Sequence, residues 1–387
     1  MRRLPLLTPI FTIAIALTST DAPARGHVTA GANPRLFHAH VPDPVAPAAP
    51  PPAFVGKDAK GNPIPYVPPP NVGPVVPVKM PLVILLHGLA VDATMQDMFF
   101  QMRTIADQRR FAFAYLDGTR NAAGLQFWNA TDACCQFPNN ANLLEAAAHG
   151  AHGVLGAITA TVGGPPVDDV AYINATIDVM TRTYPIDEKR IFIVAHSNGG
   201  FMAHRFACEN NRVAAIATLS GAQWFDAAKC PGTHKVSVLH IHGTADEIIP
   251  YNGGTPVFSS IFSGPLGAIA FPNILAPSAR ETVARWARRD QCRGGLTRVG
   301  AAIDLEQRIP GAETTMERYD CPAPYGVELW SIDGGPPRGG FGPLDGANSA
   351  HIPAFYYHGM PGFHEPPGHD PAFPDRIYDW LIAHPKP

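Results

Sequence analysis

The sequence predicts an α/β fold built on a doubly wound, mostly parallel sheet. Short unbroken apolar runs recur between residues 81 and 332, each closing on Gly, Asp or Ser. Strands buried on both faces read this way. Helix-compatible stretches lie between the runs, and strand–helix alternation is the pattern of a parallel sheet covered by helices.

The chain opens on Met1-Arg2-Arg3, then an apolar run over 4–17 and the small-residue exit Ala22-Pro23-Ala24. A positive start, a short apolar middle and a small-residue exit predict a signal peptide over 1–24 and hence export, secreted or periplasmic. The run is shorter than the ~20 residues that span a bilayer, so no stable membrane anchoring is expected. Residues 25–79 are rich in Pro, Ala, Val and Gly, and much of the chain's complement of 42 prolines falls there. That composition predicts a linker or extended arm. Residues 80–387 then form a single domain.

Within it, strands are expected over 81–88, 111–116, 190–195, 213–219, 236–241 and 327–332. Helices are expected over 95–109, 167–183, 201–209, 279–289 and 374–382. The net charge of −3 comes with no long basic run, which argues against nucleic acid and anionic membrane surfaces as partners. Six cysteines in an exported chain suit disulfides. Order along the chain suggests Cys208 with Cys230 and Cys292 with Cys321. That leaves the neighbours Cys134 and Cys135 as a vicinal pair, two free thiols, or members of another pairing.

In such sheets the functional groups sit beyond the carboxyl ends of the strands. The strand over 190–195 runs into Ala195-His196-Ser197-Asn198-Gly199-Gly200 before a helix. A serine on so tight a strand-to-helix turn needs small neighbours two before and two after, here Ala195 and Gly199. Its hydroxyl then stands above the sheet beside a helix N-terminus, which marks Ser197 as a candidate nucleophile. This is the elbow of an α/β-hydrolase fold, in which the chain order is Ser, acid, His. Asp246 follows the strand over 236–241 in His242-Gly243-Thr244-Ala245-Asp246 and is the expected acid, with Glu247 as its rival. Among His351, His358, His364 and His369, which follow the last strand, His351 reads best as the base and His369 is the runner-up. His384 lies past the final helix. Backbone N–H groups of Asn198 and of Leu89, in the loop after the first core strand, are the expected oxyanion donors.

Trp128 and Trp224 are candidate walls of a substrate pocket. His240 and His242 share one strand face, but two ligands are too few for a metal. His358, His364, His369 and Asp370 form a weaker metal candidate, and no metal is expected.

Taken together, PLVILLHGL (81–89), FWNATDACC (127–135), RIFIVAHSNGGFMAHRFAC (190–208), HGTADEIIPY (242–251) and PAFPDRIYDWL (371–381) resemble a secreted esterase family. That family holds polyhydroxybutyrate depolymerase-like and feruloyl esterase-like enzymes, and the resemblance covers about residues 80 to 387. It implies carboxylic ester hydrolysis through an acyl-enzyme with no cofactor. It carries Ser197 and Asp246 across directly and supports the Cys208–Cys230 pairing, whereas the region from Gly334 to His369 is longer than the family pattern. The expected substrate is a polyester or another bulky ester. A cell-wall feruloyl or acetyl ester is the alternative, as is acyl transfer by the same triad. A non-catalytic binding protein on this fold would show a degraded triad, and here Ser, Asp and His are all available.

Overall fold

The computed structural model describes residues 15–16, 24–30, 33–42, 54–57, 63–65, 78–89, 91–120, 126–134, 167–256, 275–305, 309, 311–334 and 373–387. Its centre is one sheet of eleven strands. In chain order these are β1 (Ile15–Ala16), β2 (Ala24–Ala30), β3 (Asn33–His40), β4 (Met80–Leu86), β5 (Ala112–Leu116) and β6 (Ile186–His196). They continue with β7 (Ala215–Leu219), β8 (Ser237–Gly243), β9 (Arg293–Arg298), β10 (Thr314–Asp320) and β11 (Val327–Ile332). In space they run β1-β2-β3-β5-β4-β6-β7-β8-β11-β10-β9. The six middle strands, β5 to β11, are mutually parallel. They are the six apolar runs of the sequence, and every residue of β5, β7 and β8 is buried. The outer strands at both edges are antiparallel.

Among the described residues six helices sheathe the sheet: α1 (Ala93–Phe100), α2 (Met102–Arg109), α3 (Asp169–Thr183), α4 (Asn198–Glu209), α5 (Ala279–Asp290) and α6 (Phe373–Ile382). The apolar sides of α3, α4 and α5 join one core cluster, and those of α1, α2 and α6 join a second. Two layers of helix over a central sheet are what an all-buried parallel strand requires. Side chains set the helix starts. Asp92, Asp168 and Ser278 each accept a hydrogen bond from the backbone N–H three residues on.

Three features differ from the sequence reading. The single helix expected over 95–109 is two, because Gln101 takes a left-handed φ of 51° and its N–H closes on the Asp97 carbonyl. The Asp97 carboxylate then accepts from the Arg103 N–H inside α2. The arm over 25–79 contributes sheet as well as leader: β3 pairs antiparallel with β5, burying Phe37 and Ala39, and β2 pairs with β3. The reason is an edge that needs cover. Without β3, the open side of β5 would present a row of unpaired backbone groups. Arg35 locks the arm further, reaching the buried carboxylate of Asp169 at 2.5 Å. Finally, β9 and β10 form an antiparallel edge that no apolar run announced, since they are mostly exposed or half-buried.

Two pairs of cysteines are bonded, Cys208 with Cys230 and Cys292 with Cys321. Cys134 is also disulfide-bonded, and Cys135 lies outside the described residues. The first bond ties the end of α4 to the loop after β7, and the second ties the end of α5 to the end of β10. No helix among the described residues is long and apolar enough to cross a membrane.

Candidate active site

After β4 the chain goes to β5 on one side, and it later returns as β6 on the other. Their carboxyl ends flank the point where the winding reverses, which is where open α/β sheets place their chemistry. Ser197 sits there, between β6 and α4, at φ 51° and ψ −118°. A non-glycine residue pays strain for a positive φ, and functional sites are where such strain is retained. The turn is held from below. The Ser197 N–H donates to the Leu219 carbonyl at 2.8 Å, and its own carbonyl accepts from Phe201 at 3.1 Å.

The small residues around the serine have specific neighbours. A Cβ on Gly199 would stand 2.4 Å from the Leu86 carbonyl oxygen and 2.6 Å from that of His87. Gly200 and Gly221 face each other so closely that a Cβ on Gly221 would lie 2.6 Å from the Gly200 carbonyl carbon. The start of α4 therefore rests directly on the backbones of β4 and of the turn after β7.

The loop after β4 lies beside the serine: a Cβ on Gly88 would be 3.6 Å from that of Ser197 and 3.0 Å from His196 Nδ1. Two side chains hold this loop. Gln96 accepts from the Gly88 N–H at 2.8 Å, and His87 Nδ1 meets the Gly88 carbonyl at 2.6 Å. His87 Nε2 accepts from the Gly118 N–H at 2.8 Å, so the ring proton is on Nδ1. Burial pushes this histidine down to about 4, which keeps it neutral. It is thus the clamp that fixes the approach of Leu89.

Asn198 has a part that the sequence did not disclose. Its side-chain oxygen accepts from the Trp128 N–H at 2.6 Å, and its amide donates to the Trp128 carbonyl at 3.0 Å. This clip fastens residues 126–134 behind the nucleophile while leaving the Asn198 backbone N–H at the start of α4. Trp128 is correspondingly not a pocket wall. It is wholly enclosed, donates its indole N–H to the His87 carbonyl at 3.0 Å and stacks on Tyr172. An indole whose polar end is satisfied inside the protein packs as core. Trp224 stands in the loop after β7, 4% exposed, with its carbonyl bonded to Arg285.

Asp246 is buried and Glu247 is exposed. One Asp246 oxygen, Oδ1, accepts from the N–H groups of Ile248 and Ile249, both at 2.9 Å. Its Oδ2 lies 3.2 Å from His242 Nε2. Two backbone N–H donors thus fix the plane of this buried carboxylate, with the His242 ring packed beside it. The candidate bases His351, His358, His364 and His369, and with them Asp370, lie outside the described residues. His384 is packed on Trp380 with Nδ1 at 2.7 Å from the Trp380 carbonyl, so it caps the end of α6. Among the described residues no cluster of three metal-ligating side chains occurs, and His240 with His242 stays a pair.

Comparisons with known proteins cover the same stretch of chain. The Phospholipase/Carboxylesterase family matches residues 168–258, a span that includes both Ser197 and Asp246. A bifunctional acetylxylan esterase/xylanase of Neocallimastix patriciarum is 25% identical over 261 residues, 66% of this chain and 32% of that protein. Feruloyl esterase B of Piromyces equi is 26% identical over 260 residues, 66% of this chain and 39% of that protein. A probable feruloyl esterase C of Aspergillus clavatus is 34% identical over 89 residues, 22% of this chain and 32% of that protein. The chain spans less than half the length of these curated relatives. A serine on a strained strand-to-helix turn, a mostly parallel central sheet and these matches together support an α/β-hydrolase esterase family.

Proposed function

We propose that this protein is a serine carboxylic ester hydrolase. The observation that carries the reading is the Ser197 turn, held at a positive φ with the Gly88–Leu89 loop beside it. In the proposed reaction Ser197 Oγ attacks the ester carbonyl and passes its proton to a histidine, His351 by chain order and spacing. Asp246 orients that imidazole and stabilises its charged form. The N–H groups of Asn198 and Leu89 receive the oxyanion, aided by the positive end of α4. The protonated histidine then donates to the leaving alcohol. Water, deprotonated by the same histidine, attacks the acyl-serine and releases the acid.

For the substrate, the names of the matched relatives favour feruloyl or acetyl esters over a polyester, and the loop after β7 with Trp224 is the proposed pocket wall. The paired cysteines and the small-residue exit at 22–24 support export.

Ser197→Ala is expected to lower turnover of a chromogenic short-chain ester by several orders of magnitude. A variant that kept its activity would overturn the reading. Rates on methyl ferulate, acetylated xylan and a polyester film then separate the substrate classes.

A further inference from the structure

Three buried histidines lie behind the acid, and the mechanism above uses none of them. His204 is on α4, and His240 and His242 are on β8. We infer that they form a one-way hydrogen-bonded chain from Trp286 to the Ile249 carbonyl, which seats the His242 ring against Asp246, and that His242 is a positioning residue for the acid. The inference rests on the hydrolase reading and deepens it.

The direction of the chain follows from its first donor. An indole N–H can only donate. Trp286 Nε1 lies 3.0 Å from His204 Nδ1, so that nitrogen accepts. Burial drives His204 down to about 3, hence the ring is neutral and its single proton is on Nε2. That N–H points at Thr218 Oγ at 3.3 Å. The threonine hydroxyl has one hydrogen, and its other partner is His240 Nδ1 at 2.9 Å. His240 therefore accepts at Nδ1. Burial and the two neighbouring histidines hold its affinity for a second proton well below the usual range, so its one proton is on Nε2. His240 Nε2 meets His242 Nδ1 at 3.1 Å. His242 accepts there and carries its proton on Nε2, which faces two acceptors: the Ile249 carbonyl at 2.8 Å and Asp246 Oδ2 at 3.2 Å.

Each link fixes the tautomer of the next, and no other assignment satisfies them all. Reversal would set a histidine N–H against the indole N–H at one end. At the other it would leave the buried Ile249 carbonyl without the His242 donor. The edge of Tyr251 closes the remaining side of His242, and its hydroxyl is bonded to Ser331 at 2.7 Å. His242 is 2% exposed, so its ring fills the space beside the acid. Without it, Oδ1 would keep its two backbone N–H groups while Oδ2 lost the ring packed 3.2 Å from it. The imidazole of the base would then be offered a misaligned partner.

The test has a spectroscopic and a kinetic arm. In nitrogen-15 NMR of the whole protein, His204, His240 and His242 are expected as neutral Nε2–H tautomers. A proton on Nδ1 of His242 overturns the inference. In the kinetic arm, His242→Phe is expected to lower kcat about 10- to 100-fold on a short-chain ester while KM changes little, as misplacement of a catalytic group does. His242→Gln, whose amide N–H can occupy the place of Nε2–H, is expected to recover most of kcat. Equal kcat for Phe and wild type overturns the inference, as does a folded Gln variant no better than Phe. If His242→Phe fails to fold, the tautomer in the wild-type protein decides. Ser197→Ala is assayed in parallel: activity there would sink the hydrolase reading, whereas an inactive Ser197→Ala beside an unaffected His242→Phe would sink only this inference.

Discussion

The two halves of the site are held by different physics. On the nucleophile side, backbone rests on backbone: Gly199 lies on the carbonyls of Leu86 and His87, and Gly200 lies against Gly221. On the acid side, side chains and hydrogen bonds do the holding. Asp246 accepts from two backbone N–H groups, and the His242 imidazole lies 3.2 Å from its other oxygen. Behind it stand groups from β7, β8, α4 and α5. The first arrangement is steric, and a single methyl group would break it. The second is polar and distributed, so each member contributes a modest share to orientation. Rigidity of the same functional kind has thus been reached by close packing at one strand end and by a satisfied polar network at another.

The largest expected effect belongs to the acid itself. Asp246→Asn is expected to reduce kcat by about 10³- to 10⁴-fold with the fold intact, because an amide can offer the base a donor where an acceptor is needed. Its amide would also face the donor of His242. A loss smaller than tenfold would move the acid elsewhere and dissolve the comparison. Next comes the steric side. Gly199→Ala is expected to cost about 3 kcal/mol or more of stability, since the clash is with main-chain oxygens that cannot swing away. Denaturant unfolding measures it, and a stability equal to wild type would show that the turn has slack.

Asn198→Ala should be milder. It leaves the buried Trp128 N–H without its partner, worth about 1–3 kcal/mol, while the Trp128 carbonyl keeps the Ala130 N–H. The Asn198 backbone N–H is retained, so activity per folded molecule should fall far less than in Asp246→Asn. A hundredfold loss of kcat without loss of stability would make the side chain part of the reaction.

The smallest effect is on acid sensitivity. His87 on the nucleophile side and His204 and His240 on the acid side are held neutral, with protonation pushed well below 6.5. On unfolding below about pH 6.5 all three take up protons, so their contribution to stability is lost as pH falls. Asp97, raised to about 6, and Asp290, raised to about 7, act in the opposite sense, since burial keeps them protonated in the folded state. The carboxyl of Asp169, raised by burial as well, makes it three against three, so stability is expected to change little between about pH 6 and 4. Thermal midpoints across that range test it, and a midpoint that rises or falls steeply toward pH 4 would refute the balance.

Legibility in the sequence follows the same division. The six parallel strands were readable because segments buried on both faces must be largely apolar, as β4, β5, β7 and the buried end of β6 over 191–195 are. The serine turn was readable because steric demand leaves a mark at fixed spacing, here Ala195 and Gly199 around Ser197. Asp246 was singled out by its position after a strand; it is buried, and its neighbour Glu247 is exposed. What was missed lay in long-range polar pairing. Nothing local marks Asn198 as a clip for Trp128, 70 residues away, or Trp286 as the partner of His204, 82 residues away. Trp128 read as a pocket wall because its sequence neighbours do not reveal that its indole is bonded inward. The strand β3 read as arm because an edge strand needs only a partner with open backbone groups, which composition does not record.

The residues themselves therefore determined the layered architecture, the strand ends where chemistry could sit and the tight turn that carries the serine. Periodic burial and steric exclusion act between near neighbours, so the order of amino acids writes them down. Tertiary structure alone decided how the acid is aimed, which ring nitrogens carry protons and that Trp128 packs as core. Those depend on hydrogen bonds between groups that meet only once the sheet has brought β7, β8, α4 and α5 together.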